Sequence, residues 1–576
     1  MATLFLTTPV EKINSFEKNI LFLGEWCKLY PDHNKSQNIE IHKYHWDDRL
    51  KFIQDYKYLT DLYEKYLFEF SNKLNEIHKR NEDSRYWRII IGPWLRFFID
   101  VTFDRFECIR TLEEKKIDNS HIYKYNIEDF IPQDFTEFYD QIRNDSWNHA
   151  IFSECILFFG IKHTFIDYPP HEIHLSKKVV KNKLKSKLLN LYNSLFPRRF
   201  NSIAIVEPYI NIYKTFKLNL ALGQFPIFGT FTKEIDNTFI HKSRKEITFN
   251  TLKKTKFEFF LENIIFKLIP NSYLENLSNY EKLGLSKYPL NPKLIFTSNA
   301  YQANDTFKIW TAFYVAKGVP LIIEQHGGHF GIGLINQTET HQIKIATIFA
   351  SWGWGSSENV CSMPSLKLNK SFLFKYNKTG KILITTPSYP RYFYCSFSVP
   401  FSGQFLSYLD GLFIFLNGLN LNTTKNLLIR TDADIFGWNI NKRIEDRGFG
   451  WAIDKKNINL FDSLKEAKIS ISTYNATIFL ETLAMNFPTL VYFDFSYYEI
   501  REDALEMITI LLEANILHKS PEDAYQFLNN IHDEIENWWF SKIVQDARLI
   551  FCNKYARTSS KCINDWKIFL NTYKND

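Results

Sequence analysis

Four of the chain's 20 glycines crowd into one stretch, Glu324-Gln325-His326-Gly327-Gly328-His329-Phe330-Gly331-Ile332-Gly333. It directly follows Val319 to Glu324, an apolar run that reads as a strand. Glycines at a strand's end let the backbone approach a ligand and adopt positive φ. His326 and His329 can donate, accept or carry a proton near neutral pH. A tight turn whose histidines cap backbone groups would use the same residues. Glu339 and His341 lie close behind the loop.

A second stretch, Ser470-Ile471-Ser472-Thr473-Tyr474-Asn475-Ala476-Thr477-Ile478-Phe479-Leu480-Glu481, runs from a strand through a hydroxyl-rich turn into a helix. Asn475 is expected to cap that helix. The free amides and positive dipole end of such a helix form an anion site. Thr477 and Glu481 are four apart and share one face. A carboxylate on an otherwise apolar helix needs polar partners, and sugar hydroxyls would serve.

Weaker candidates are Arg430, Asp432 and Asp434, at the end of the strand Leu427 to Thr431, and Thr385, Thr386 and Ser388, after the strand Lys381 to Thr385. His171, Glu172 and His174 match no common metal spacing, and no metal site is expected. The chain has no G-x-x-x-x-G-K-[ST], no G-x-G-x-x-G after a strand, no H-E-x-x-H and no G-x-S-x-G. Nucleotide kinase, dinucleotide enzyme, zincin and serine hydrolase thereby lose their usual signatures.

The elements that must position these residues follow from periodicity. Leu4 to Thr7 reads as a buried strand stopped by Pro9. Helical spacing of apolar residues marks Trp46 to His78, where Asp47 and Asp48 supply first-turn acids. It recurs over Tyr86 to Arg110, with Gly92-Pro93 expected to break it, and over Trp147 to Phe159. From Ser202 strands and helices alternate, as parallel sheets require. The strands are Ile203 to Glu207, Lys293 to Thr297 and Val319 to Glu324, then Lys381 to Thr385, Leu427 to Thr431, Lys468 to Ser472 and Thr489 to Phe493. After Pro521 the chain reads as helical. The expected fold class is α/β, two facing parallel-sheet halves with a helical insertion at about 40–160 and a helical tail. The expected division is 1–365, 366–535 and 536–576, the last packing back on the first. A ligand cleft belongs between two such halves.

Composition agrees with a folded protein of several domains: 576 residues, 45% hydrophobic and 23% charged. Aromatic residues are abundant, with 53 Phe, 31 Tyr and 13 Trp. The net charge of +6 comes from Leu175 to Phe200, which holds Lys177, Lys178, Lys181, Lys183, Lys185, Lys187, Arg198 and Arg199 and no acid. Subtracting those eight leaves −2, so no nucleic-acid partner is expected. The same segment can form a basic amphipathic helix, suited either to an anionic membrane or to a solvated face. Seven scattered cysteines suit reduced thiols. The N-terminus has no basic leader, and no uncharged run reaches the ~18 residues of a membrane span. A cytoplasmic location is expected, with peripheral contact at the inner face of a bacterial inner membrane as an extension.

Ser470 to Asp494 resembles the donor-site segment of GT-B glycosyltransferases, in which a strand, a Ser/Thr turn and a helix with a ribose-binding Glu precede a Pro and another strand. The matching residues are Ser472, Thr473, Asn475, Thr477, Glu481 and Pro488. Over most of its length the chain resembles a family of bacterial surface-carbohydrate transferases from O-antigen, capsule and nonulosonic-acid gene clusters. That likeness rests on Leu4 to Pro9, Gly24-Glu25-Trp26-Cys27, His45-Trp46-Asp47-Asp48-Arg49, Tyr86 to Leu95, Glu324 to Gly333, Ser351-Trp352-Gly353-Trp354 and Ser472 to Glu481. Gln325-His326-Gly327 and the Glu481 helix are also similar to capsule Kdo transferases and CDP-glycerol polyol-phosphate transferases. The Kdo enzymes carry a His-Pro pair where this chain has Arg430-Thr431-Asp432.

These resemblances imply a GT-B glycosyltransferase moving a sugar from a nucleotide donor to a surface glycan, including a lipid-linked one. The preferred donor is a CMP-activated nonulosonic acid such as pseudaminic acid. Donor-binding residues would be Arg430, Asp432, Ser472, Thr473, Tyr474, Asn475, Thr477, Glu481, Gly327 and Gly328. His326 would be the acid/base, with His329 or Glu324 assisting. A retaining reaction would use Glu324 or Glu339 as nucleophile. Neither metal nor other cofactor is expected. Three alternatives stay open: a CDP-glycerol-type polyol-phosphate transferase, a UDP-sugar epimerase and a non-catalytic glycan-assembly subunit.

Overall fold

The computed structural model describes residues 3–9, 19–31, 38–112, 115, 117–167, 201–226, 244, 247–249, 254–355, 357–368, 376–431, 436–455 and 460–575. Among these residues the strands form three five-stranded sheets, and every strand pair is parallel. The fold is therefore α/β, as expected. The basic segment 175–200 and the residues His171, Glu172, His174, Asp432 and Asp434 lie outside the described residues.

The first sheet contains β1 (Thr3–Leu6), β2 (Asn19–Phe22), β3 (Asn38–Ile41), β4 (Asn119–Tyr123) and β5 (His163–Ile166), in the order β3-β2-β1-β4-β5. Sequence periodicity showed one of these strands; β2 lies in the apolar run Ile20 to Leu23 but was not singled out, and β3, β4 and β5 lack a clear apolar run. Between β3 and β4 run α1 (Arg49–His78) and α2 (Ser84–Arg110), and α3 (Asp145–Phe158) precedes β5. Asp48 caps α1 by accepting from the amides of Leu50 and Lys51. The break expected at Gly92-Pro93 does not occur, because α2 continues through both. Pro93 removes one backbone donor and normally costs ~3 kcal/mol in a helix interior. Burial of almost every residue from Tyr86 to Ile109 outweighs that local penalty.

The second sheet contains β6 (Ile203–Val206), β7 (Leu294–Thr297), β8 (Leu321–Glu324), β9 (Ile348–Ser351) and β10 (Val360–Ser362), in strictly sequential order. The connecting helix Ile212–Ala221 packs on one face, its Leu218 buried with Ile203, Ile205 and Phe296, and the later connecting helices cover the other. These later helices include α4 (Asp305–Val315) and α5 (Gln337–Ile345). The chain's last helix covers part of the first face as well.

The third sheet contains β11 (Lys381–Thr385), β12 (Leu427–Arg430), β13 (Ala467–Ser472), β14 (Thr489–Tyr492) and β15 (Leu517–His518), in the order β12-β11-β13-β14-β15. Its helices include α6 (Gln404–Gly418) and α7 (Thr477–Ala484); α8 (Lys542–Tyr555) and α9 (Cys562–Asn575) follow. Helix α8 packs beside α7. Helix α9 lies on the second sheet, where Trp566 and Leu570 join Ile203, Phe296 and Ile322 in a buried cluster. The Trp566 indole also donates to the Pro364 carbonyl at 2.7 Å.

Much of the aromatic surplus is spent joining these layers. Trp46 is fully buried against Phe52, Phe103, Phe393 and Phe401. Arg49 clamps Glu499 through Nε at 2.7 Å and Nη2 at 3.0 Å, tying α1 to the chain after β14. Among the described residues no helix is long and apolar enough to cross a membrane.

Candidate functional site

Open parallel sheets bind ligands beyond their carboxyl ends, where the strand order reverses. In the third sheet that point falls between β11 and β13, which are adjacent although β12 separates them in sequence. The turns there are Thr385-Thr386-Pro387-Ser388 and Ser472-Thr473-Tyr474-Asn475. Several polar atoms in these turns are sequestered with no hydrogen-bond partner of good geometry. They are Thr386 Oγ1, Ser388 Oγ and both amide atoms of Asn475. Asn475 is only 2% exposed. Buried polar groups are normally paired, so an unpaired set at this position marks a place for a polar ligand.

Asn475 does not cap α7. The capping position is Ala476, which has no side-chain acceptor, so the helix's first amides lack a side-chain cap. Thr473 turns the other way. Its amide and hydroxyl reach the Thr385 carbonyl, the hydroxyl at 2.9 Å, and its Oγ1 lies 2.6 Å from the Tyr408 hydroxyl. Ser472 donates to the Tyr474 carbonyl at 3.2 Å, which tightens the turn.

The glycine loop after β8 meets this helix start directly. Gly328 N–H donates to Thr477 Oγ1 at 2.8 Å. A β-carbon on Gly328 would sit 2.6 Å from the Thr477 nitrogen, so only glycine allows this approach. The two stretches singled out by sequence therefore form one surface between the second and third sheets.

His326 stands at the edge of that surface, partly buried, with Nδ1 sequestered and the Gln342 side chain beside its ring. Its ring meets Phe330, Tyr301 and Tyr209 at centroid distances of 5.2, 5.9 and 6.1 Å. Burial, helped by the nearby Lys367 charge, lowers its pKa to about 4, so it is neutral at pH 7. Lys367 Nζ lies 4.3 Å above the Tyr209 ring and 3.4 Å from Glu481 Oε1. His326, Tyr209, Lys367, Glu481 and Thr477 thus form a continuous polar edge. Lys367 and Tyr209 were missed by sequence reasoning, because each sits in an irregular loop with no motif around it.

The remaining expected residues lie apart. Glu324 is fully buried behind the loop, accepting from the Leu366 amide at 2.9 Å and the Ser298 hydroxyl at 3.1 Å. Burial raises its pKa to about 8 against those two bonds. His329 has a left-handed φ of 76° and sits with Nε2 3.0 Å from the Ser398 carbonyl. Asn336 approaches its Nδ1 at 3.4 Å, and burial lowers its pKa. Glu339 accepts from the Gly331 amide at 2.8 Å and from Arg501 at 2.9 Å, and burial raises its pKa. In this geometry His329, Glu324 and Glu339 hold the loop's shape. Arg430 ends β12 and donates to Ser463 at 3.2 Å, on the far side of β11 from α7.

One group among the described residues could gather metal-ligand atoms: His45, Asp104 and Cys108. Asp104 already binds Tyr44, His45 and Arg105, and all of these lie in the core of the first layer.

A family profile described as the LIC12162 family transferase matches residues 2–570. The chain belongs to that family. No curated protein matches it. The solved structures that this LIC12162 family transferase is similar to include three bacterial proteins. One is an S. aureus TarM mutant solved with Fondaparinux, alpha-GlcNAc-glycerol and UDP: 12% identity, 49% of this chain, 55% of that chain, TM-score 0.31. The second is Acinetobacter baumannii MurG: 12% identity, 52% of this chain, 80% of that chain, TM-score 0.30. The third is a mutant Thermobaculum terrenum O-GlcNAc transferase: 8% identity, 85% of this chain, 90% of that chain, TM-score 0.34. The LIC12162 family chain spans about half of TarM.

Proposed function

We propose that this transferase is a GT-B-type glycosyltransferase that moves a sugar from a nucleotide donor to a bacterial surface glycan. The observation that carries the reading is the Gly328–Thr477 contact, which sets the uncapped start of α7 against a glycine loop bearing a neutral histidine. The α7 amides suit a donor phosphate, since a helix N-terminus favours anions. The unpaired Asn475 amide can add a hydrogen bond there, and Glu481, steadied by Lys367, can accept from ribose hydroxyls. Neutral His326 would take the proton of the acceptor hydroxyl. The acceptor oxygen then bonds to the anomeric carbon as that carbon's bond to the phosphate oxygen breaks. The departing nucleotide keeps the electron pair, and its charge rests at α7.

The donor we favour is a CMP-activated nonulosonic acid such as pseudaminic acid, with one phosphate for one helix start. The division that goes with it assigns 1–365 to the acceptor side and 366–535 to the donor, with 536–576 as a tail. Contact of 175–200 with an anionic membrane would bring a lipid-linked acceptor within reach.

The test is thermal shift of the full chain against CMP, CDP, UDP and GDP. A bound nucleotide at ~100 times its dissociation constant should stabilise the fold by about 2.7 kcal/mol. No shift with any of the four would sink the transfer reading, and a shift with UDP alone would sink the CMP donor.

A further inference from the structure

Tyrosines gather where the third sheet ends. An open cavity of about 440 Å³ lies beyond the carboxyl ends of β13, β14 and β15, bounded by α6 and by the start of the helix Pro521–Ile531. Its volume falls in the ~300–1,000 Å³ range of small-molecule sites, and the carboxyl edge of a parallel sheet is where such sites belong.

Tyr408, Tyr492, Tyr497 and Tyr498 line it. Two of their hydroxyls are already taken. Tyr408 Oη lies 2.6 Å from Thr473 Oγ1, and Tyr498 Oη lies 3.2 Å from Tyr389 Oη. Tyr492 differs: it is 4% exposed, and its hydroxyl has no hydrogen-bond partner among the described residues. Burial pushes its pKa well above the usual tyrosine value, so it keeps its proton and can donate. A buried hydroxyl left without a partner costs ~1–3 kcal/mol, which a ligand in the adjoining cavity would relieve.

The charged groups select among ligands. The lining holds three carboxylates, Asp410, Asp494 and Glu522, and one cation, Lys519, all exposed. Asp494 Oδ1 accepts from the Ser496 amide at 2.8 Å and the Ser496 hydroxyl at 2.7 Å, while Oδ2 has no partner among the described residues. Ionised carboxylates only accept hydrogen bonds, and three of them against one lysine repel an anion. The occupant must therefore bring several hydroxyl donors, an acceptor for Tyr492 and apolar C–H surface for the rings, with no negative charge. A neutral sugar ring meets all of these demands.

We propose that this cavity is a binding site for a neutral sugar, held by Tyr492 and Asp494 with the rings of Tyr408 and Tyr497 beside it. It does not rest on the nucleotide-donor reading, since Thr473 alone is common to the cavity and the proposed donor site. Under the transfer reading it would hold a sugar of the acceptor glycan other than the one that reacts.

The experiment is saturation-transfer NMR on the full chain without nucleotide. Glucose, galactose and N-acetylglucosamine are the neutral probes; glucuronate and CMP are the anionic ones. At least one neutral sugar should bind saturably in the millimolar range, with glucuronate weaker than glucose. Tyr492→Phe removes a hydroxyl that has no partner in the empty cavity. The variant should fold with undiminished stability and bind the sugar about fivefold more weakly. Asp494→Asn keeps the oxygen that Ser496 uses and should weaken binding about tenfold, as losing a hydrogen bond to a charged group does. Should Asp494→Asn fail to fold, Tyr492→Phe decides alone. Three results overturn the proposal: no saturable neutral sugar at tens of millimolar, wild-type affinity in the folded variants, or glucuronate bound as tightly as glucose. CMP binding that is lost in Tyr492→Phe also overturns it, by making the cavity a nucleoside pocket. Failure here leaves the nucleotide thermal-shift test unaffected.

Discussion

The amide of Gly328 donates to the hydroxyl of Thr477 at 2.8 Å, although 149 positions separate them in the chain. A loop of the second sheet and a helix of the third are thereby held at hydrogen-bond distance. Anything bound at the start of α7 also lies against the loop that carries His326.

Adding one methyl group should disturb this contact. Gly328→Ala would drive a β-carbon into the backbone at Ala476 and Thr477. Overpacking of this kind costs about 1–3 kcal/mol. We expect a lower melting temperature by calorimetry and a loss of nucleotide-induced stabilisation larger than the fold's own loss.

His326→Ala should lower turnover ~10²-fold or more if the ring takes the acceptor proton. The group acts as a base only when neutral, and its pKa is about 4. The kcat profile should therefore stay flat from pH 6 to 8 on this account and fall only as pH drops toward 4. A kcat within about threefold of wild type would remove the histidine from the mechanism.

Glu481→Gln should raise the donor KM ~10-fold with kcat less affected, because ribose binding is shared by ground and transition states. Lys367→Met should shift KM in the same direction, since Lys367 sits 3.4 Å from that carboxylate. Steady-state kinetics with donor varied distinguishes the two parameters.

Glu324 should make stability depend on pH with an unusual sign. Its pKa is about 8 in the fold and near 4.3 in an unfolded chain. The folded state therefore holds the proton more tightly, and stability present at low pH is lost as pH rises from about 4.3 through 8. Glu324→Gln keeps a neutral side chain at every pH. The variant should lose a few kcal/mol less than wild type between pH 5 and 8 by urea denaturation. Parallel pH curves for the two proteins would disprove the assignment.

Arg391 reaches from the segment after β11 to Asp145 on α3, with both Asp145 oxygens within 2.8 Å of Nη2 and both residues buried. Removing one member of a buried pair leaves an uncompensated charge, at a cost of about 3–5 kcal/mol. Arg391→Met should therefore unfold at markedly lower urea, while Arg391→Met with Asp145→Asn should recover part of that loss.

How far the sequence could be read depended on how local each signal was. Most of the longer strands of the second and third sheets are apolar runs, because both faces of a parallel sheet are covered. The seven strands expected there match the observed bounds to within two residues, whereas β9, β10 and β15 were not expected. The first sheet was less legible: β3 alternates between exposed and half-buried residues, and β5 is largely exposed, so neither reads as a buried run. The break expected at Gly92-Pro93 failed because propensity is local and the burial that overrode it comes from α1, α4 and α5.

Residue chemistry alone determined that a scarce supply of glycine was concentrated beside two histidines, and that a hydroxyl-rich turn opened an apolar helix. Only the tertiary structure decided that these two stretches touch, that Lys367 stands over Tyr209 and faces Glu481, and that Asn475 is buried without capping its helix. Only it separated His326 from His329, whose ring lies against the Ser398 carbonyl. The physical reason is that a residue type sets which bonds a side chain can make, whereas the packing of distant segments sets which of those bonds are already taken.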